Sequence, residues 1–99
     1  MPRLRARVDA NQPDVVKALR DAGASVTILS SVGKGVPDLL VGFQGNNFLM
    51  EIKDGAKTPS QRALTDDEQK FHAAWRGQVD IIESPEQALA LLHKGGQTV

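Results

Sequence analysis

The sequence predicts a small α/β domain, a mixed sheet flanked by helices in the order α-β-β-β-α-β-α. Three observations predict it: apolar residues recur at helical spacing near both ends of the chain, short β-rich runs lie between them, and cap or turn residues separate the segments. The chain has 99 residues, enough for one domain, spanning residues 1–99, with a modest core.

The first helix is expected over residues 12–22. Asn11 is the N-cap, Pro13 lies in the first turn and Asp14 stands at N3, near the positive end of the helix dipole. Val15, Ala18, Leu19 and Ala22 follow at helical spacing, and Gly23 sits where a terminating glycine belongs. Residues 26–29 read as a short strand and residues 30–36 as a loop carrying Gly33 and Gly35. Residues 38–43 and 48–53 are two strands around the turn Gln44-Gly45-Asn46-Asn47, which makes a β-hairpin.

A polar loop over residues 54–64 leads to Thr65, whose pairing with Glu68 is a capping box opening a helix that ends near Gly77. Phe71 and Trp75, four apart on that helix, read as core anchors. Residues 79–82 are the last strand. It follows the hairpin through a helical crossover, so it should run parallel to the hairpin's second strand. Ser84-Pro85-Glu86-Gln87 starts the last helix, Ala88, Leu89, Leu91 and Leu92 form its apolar side, and Gly95 stops it.

Composition narrows the function classes. Hydrophobic residues at 40% and charged residues at 24% are ordinary for a soluble domain. No run approaches the ~18 apolar residues of a membrane span, so no membrane association is expected. The charged segment at residues 1–11 has no apolar h-region, so no secretory signal is expected. The lack of cysteine excludes disulfides and Cys-based zinc sites and fits a cytoplasmic setting. Net charge is zero, which makes the distribution of charge more informative than its sum. Arg3, Arg5 and Arg7 alternate ahead of Asp9 and read either as solvated surface or as a phosphate-contacting arm. Lys34 and Lys57 are further candidate DNA contacts.

The chemistry concentrates in the hairpin. Side chains alternate along residues 48–53, so Glu51 and Lys53 project from one face. With Gly45-Asn46 as the two-residue loop, Leu40 faces Glu51 and Asp38 faces Lys53. Asp38 is then diagonal to Glu51, at roughly 7–8 Å. Two carboxylates so placed suit a hard divalent cation such as Mg²⁺. Such an ion can activate water and offset charge on a phosphate, while a neighbouring lysine stabilises the transition state. The other reading of the trio is a surface ion-pair cluster at a strand end. Against it, Pro37 fixes the approach to Asp38 and the charges interrupt a face that would otherwise be core.

The segments Ser31-Val32-Gly33-Lys34-Gly35-Val36-Pro37-Asp38-Leu39-Leu40-Val41-Gly42 and Phe48-Leu49-Met50-Glu51-Ile52-Lys53-Asp54-Gly55 resemble the VRR-NUC branch of the PD-(D/E)xK nucleases. Leu64-Thr65-Asp66-Asp67-Glu68-Gln69, leading to Trp75, resembles that family's downstream helix. The resemblance implies a restriction-endonuclease-like fold and a Mg²⁺- or Mn²⁺-dependent DNA endonuclease. It implies Asp38, Glu51 and the Ile52 carbonyl as metal ligands and Lys53 as the catalytic lysine. Asp14 is the nearest match to the family's first-helix glutamate, or else a plain helix N-terminal acid. Gln69 matches a glutamine that related nucleases place near the site, or else faces solvent. Stand-alone members occur in phages and prophages, which implies the cytoplasm of a bacterium or infected host. By analogy with dimeric junction resolvases, a homodimer acting on branched DNA such as a Holliday junction is expected. The alternative is a binding module that keeps the nuclease fold without catalysis.

Overall fold

The computed structural model describes residues 8–95. Its elements are α1 (Gln12–Asp21), β1 (Ser25–Ile28), β2 (Leu39–Phe43), β3 (Asn46–Ile52), α2 (Asp66–Ala74), β4 (Asp80–Ile82) and α3 (Pro85–Gly95). The order is the expected one, and every boundary falls within a few residues of the sequence reading.

The local signals act as their chemistry requires. Gly23, at φ +98°, closes α1 as a Schellman motif: its N–H donates to the Arg20 carbonyl and the Ala24 N–H to the Leu19 carbonyl, both at 3.0 Å. The capping box at Thr65 and Glu68 forms in both directions. Asn11 occupies the N-cap position of α1, but its side chain caps nothing. Its amide instead donates to the carbonyls of Lys53 (3.0 Å) and Glu83 (3.2 Å), tying the start of α1 to the ends of β3 and β4.

The strands form one mixed sheet in the order β1-β2-β3-β4. β1–β2 and β2–β3 are antiparallel, and β3–β4 is parallel, as the crossover predicts. The hairpin register differs from expectation. The loop is Gln44-Gly45, not Gly45-Asn46, and Leu40 faces Leu49. Both loop residues have positive φ, 51° and 82°, the signature of a type I′ turn with glycine second. The slip amounts to two residues in the pairing. Because side chains alternate with period two, the apolar set stays on the same face, burial does not distinguish the registers, and turn chemistry decides.

One sheet face carries Leu39, Val41, Phe48, Met50 and Ile52, all buried. Val15, Val16 and Leu19 of α1 and Ala88 and Leu92 of α3 cover it. Each of these side chains larger than alanine contributes about 1.5–3 kcal/mol on burial. The opposite face bears Asp38, Leu40, Leu49, Glu51 and Lys53. α2 has no buried residue, and Trp75, at its C-cap, is 45% exposed. Phe71 and Trp75 are therefore not core anchors. They stack on each other at 5.0 Å instead. Among the described residues no helix is long and apolar enough to cross a membrane.

A buried carboxyl pair as candidate metal centre

Asp38 precedes β2 and Glu51 lies near the end of β3. Continuing the observed register by one residue sets them directly opposite, closer than the diagonal the sequence suggests. Asp38 Oδ2 accepts from the Ile52 N–H at 2.7 Å, and its Oδ1 accepts from the Ser30 hydroxyl at 3.3 Å. The register sets the two carboxyl groups against each other across adjacent strands, and each acts on the other's pKa. Glu51 is 2% exposed, and its Oε1 is buried without a hydrogen-bond partner.

Burial is the main force on both groups. It pushes Asp38 above the ordinary carboxylate range, against hydrogen bonds with Glu51, the Ile52 amide and Ser30 that act the other way. Burial, the hydrogen bond and like charge of Asp38, and the charge of Glu68 push Glu51 up to about 10, opposed only by Lys53. Two carboxylates cannot both stay charged here unless a cation joins them; without one, the pair keeps a proton.

Lys53 is 8% exposed and donates to Glu68 Oε1 at 2.7 Å. Burial disfavours its charge, but Glu68, Glu51 and Asp9 outweigh that and raise its pKa. Burial likewise disfavours charge on Glu68, but Lys53 and the Thr65 amide outweigh it and hold Glu68 below its usual range. The same Oε1 accepts from the Thr65 N–H at 2.9 Å, so one oxygen both caps α2 and steadies Lys53.

Asp14 on α1 and Gln69 on α2 both occupy exposed helix positions, in keeping with the second of the two readings given for each. The Gln69 amide donates to the Leu64 carbonyl at 3.1 Å. The structure brings in Gln12 and Glu68 instead. Gln12 is 3% exposed, donates to Ser30 Oγ at 3.2 Å and keeps a buried Oε1 without a partner. A sequence signal for it existed: Gln12, Val15, Val16 and Leu19 follow the i, i+3, i+4, i+7 spacing of a buried stripe, so a polar residue occupies an apolar slot. Glu68 was visible only as a capping residue.

Lys34 and Lys57 are exposed, and Lys57 pairs with Asp9 at 3.7 Å. Arg3, Arg5 and Arg7 lie outside the described residues. Gly35 packs so closely on the Asp67 backbone that a Cβ would collide with it, which gives that glycine a packing role.

The donor set bears on the expected metal. Among the described residues no three His, Cys, Asp or Glu side chains are arranged to hold an ion. Two carboxylates are present, one with an orphaned oxygen, in an all-oxygen setting. Mg²⁺ takes such sites, using one or two carboxylates and filling its shell with water and substrate phosphate. The residues fit that group. The Ile52 amide is engaged by Asp38, and its carbonyl stays a ligand only by the family resemblance. No family model, curated protein or solved structure matches the chain.

Proposed function

We propose that this chain is a metal-dependent DNA endonuclease of the type its VRR-NUC resemblance implies, hydrolysing phosphodiester bonds with Asp38, Glu51 and Lys53. One observation carries the reading: the buried Glu51 carboxyl, with an unpartnered oxygen, lies opposite the half-buried Asp38 carboxyl and beside an ammonium on the same sheet face. Such a pair costs stability, and strongly shifted carboxyls of this kind mark functional sites.

Asp38 and Glu51 would hold Mg²⁺ or Mn²⁺, which when bound supplies Lewis-acid chemistry, activating water and offsetting charge on the scissile phosphate. The chain's own residues do the rest. The Ile52 amide and Ser30 fix the orientation of Asp38. Lys53 commits one of its three N–H donors to Glu68, leaving others for a phosphate oxygen or the attacking water. Its near-complete burial makes that charge more effective than one in bulk water.

The test is incubation with plasmid and branched DNA in Mg²⁺ or Mn²⁺ and in EDTA. Cleavage should require the ion and disappear in Asp38→Asn and Glu51→Gln. Activity that persists in EDTA, or in both variants, would overturn the assignment. Binding of DNA without cleavage under any ion would favour a non-catalytic module.

For substrate and assembly we propose branched DNA, a four-way junction first, cut by a homodimer in the cytoplasm of a bacterium or an infected host. Each chain supplies one carboxyl pair, whereas opposite strands of a junction need two sites related by symmetry. Light scattering at micromolar concentration should give a dimer mass. A monomer with no preference for junction over linear duplex would remove this part of the proposal and leave the nuclease reading intact.

A further inference from the structure

Trp75 is the chain's single tryptophan, and it is 45% exposed. Its exposure is not looseness. The indole N–H donates to the Gln78 carbonyl at 3.2 Å, Phe71 stacks on the ring at 5.0 Å and 19°, and Gly77 lies so close that a Cβ there would crowd the indole nitrogen. A rigid, partly exposed aromatic side chain is costly in water and suits a flat ligand.

Trp75 lines a groove of about 390 Å³ together with Leu40, Leu49, Asn47 and Gln78. That volume is within the range of small-ligand sites. The walls are apolar, and Asn47 adds a hydrogen-bond donor and an acceptor. Leu49 projects from the same sheet face as Glu51, two residues away, or about 6.5 Å along a strand. A nucleotide can bridge that gap from phosphate to base. An aromatic side chain on which a base can stack is the element that single-strand sites share.

We propose that the groove is a nucleobase subsite, where an unpaired base of a DNA strand stacks on Trp75 while an adjacent phosphate reaches the Asp38–Glu51 pair. The location of that phosphate rests on the nuclease reading. The subsite gives a reason for preferring flaps, forks or frayed ends, which carry unpaired bases, over a fully paired duplex or junction.

With one tryptophan, intrinsic fluorescence reports on this side chain alone. The full chain is titrated in EDTA, which keeps the strand intact, with a single-stranded oligonucleotide, its abasic counterpart and the paired duplex. Quenching by the base-containing strand, absent with the other two, is expected. Trp75→Ala, which removes no core contact, should bind a labelled single strand about 5- to 150-fold more weakly, the equivalent of the ~1–3 kcal/mol of one base stack. Trp75→Phe should recover part of that loss. Equal quenching by the abasic strand, or none with any DNA, overturns the proposal. Cleavage in Mn²⁺ is followed in parallel: base-dependent quenching without cleavage would defeat the nuclease reading alone, and cleavage without base-dependent quenching would defeat the subsite alone.

Discussion

Met50 and Glu51 are neighbours on β3 and almost equally inaccessible, at 0% and 2% exposure, yet they face opposite environments. Met50 lies under α1 and α3 in the apolar core. Glu51 lies on the other face against a second carboxyl group, and α2 reaches over that face through the Lys53–Glu68 ion pair without burying any residue of its own. The difference teaches that burial has two meanings in this molecule. On the helix-covered face it stabilises the fold, and on the other it desolvates charges at a cost that the first face offsets.

The sharpest way to break this comparison is to substitute the two neighbours. Met50→Ala should cost about 2–5 kcal/mol, a large part of the roughly 5–15 kcal/mol a domain possesses, with cleavage lost only as the chain unfolds. Glu51→Gln should do the reverse. Cleavage should fall at least about a hundredfold, since the ion contributes several kcal/mol to the barrier, while the metal-free protein melts no lower than wild type at pH 8. Paired melting curves and turnover measurements decide it. A Glu51→Gln variant that unfolds like Met50→Ala would mean the carboxyl is structural.

Next in size is a pH effect confined to the charged face. Glu51 titrates near 4.5 in an unfolded chain and near 10 in the folded, metal-free one, so the folded state holds the extra proton between those values. Its contribution to stability is complete below about pH 4.5 and is lost as pH rises toward 10. The raised pKa of Asp38 acts in the same direction. In EDTA, the melting temperature should therefore fall from pH 5 to pH 9, and Mg²⁺ should restore most of the loss at pH 9. A flat profile in EDTA would show that the two carboxyls do not crowd each other.

A smaller effect is expected at Glu68, a positioning residue for Lys53. Glu68→Gln weakens a hydrogen bond to a charged group, for which the usual range is about 1.5–3 kcal/mol. Turnover should drop about tenfold with DNA affinity little changed, a split that mere loosening of α2 would not produce. Equal falls in both would reassign Glu68 to helix capping alone. The smallest effects belong to Asp14→Ala and Gln69→Ala, which should stay within about 0.5 kcal/mol in stability and leave cleavage unaltered. Loss of cleavage in Asp14→Ala would return that residue to the site.

Much of this was legible in the residues. The order of elements, the Gly23 stop, the Thr65–Glu68 capping box and the parallel crossover follow from local chemistry that the tertiary structure leaves alone. Asp38, Glu51 and Lys53 were readable because strand alternation survives a two-residue slip in register. The meeting of Gln12 and Ser30 is not legible in the sequence, because it depends on how α1 lies against the loop before β2. Glu68 carried a complete local explanation as a cap, which hid its bond to Lys53. The core reading of Trp75 fails because hydrophobicity does not say which of two sheet faces receives a helix, and the face α2 approaches is the polar one.

Asn11 has a consequence for how the molecule folds. Its two hydrogen bonds join residues 42 and 72 positions apart in the chain. The hairpin, closed by a two-residue loop, can form early, but closing such long loops costs more entropy and comes later. The backbone of Lys53 is therefore fastened only once the first helix, the hairpin and the last strand have met. A partly folded chain would own the hairpin without the completed site, so the activity proposed above would belong to the native state alone.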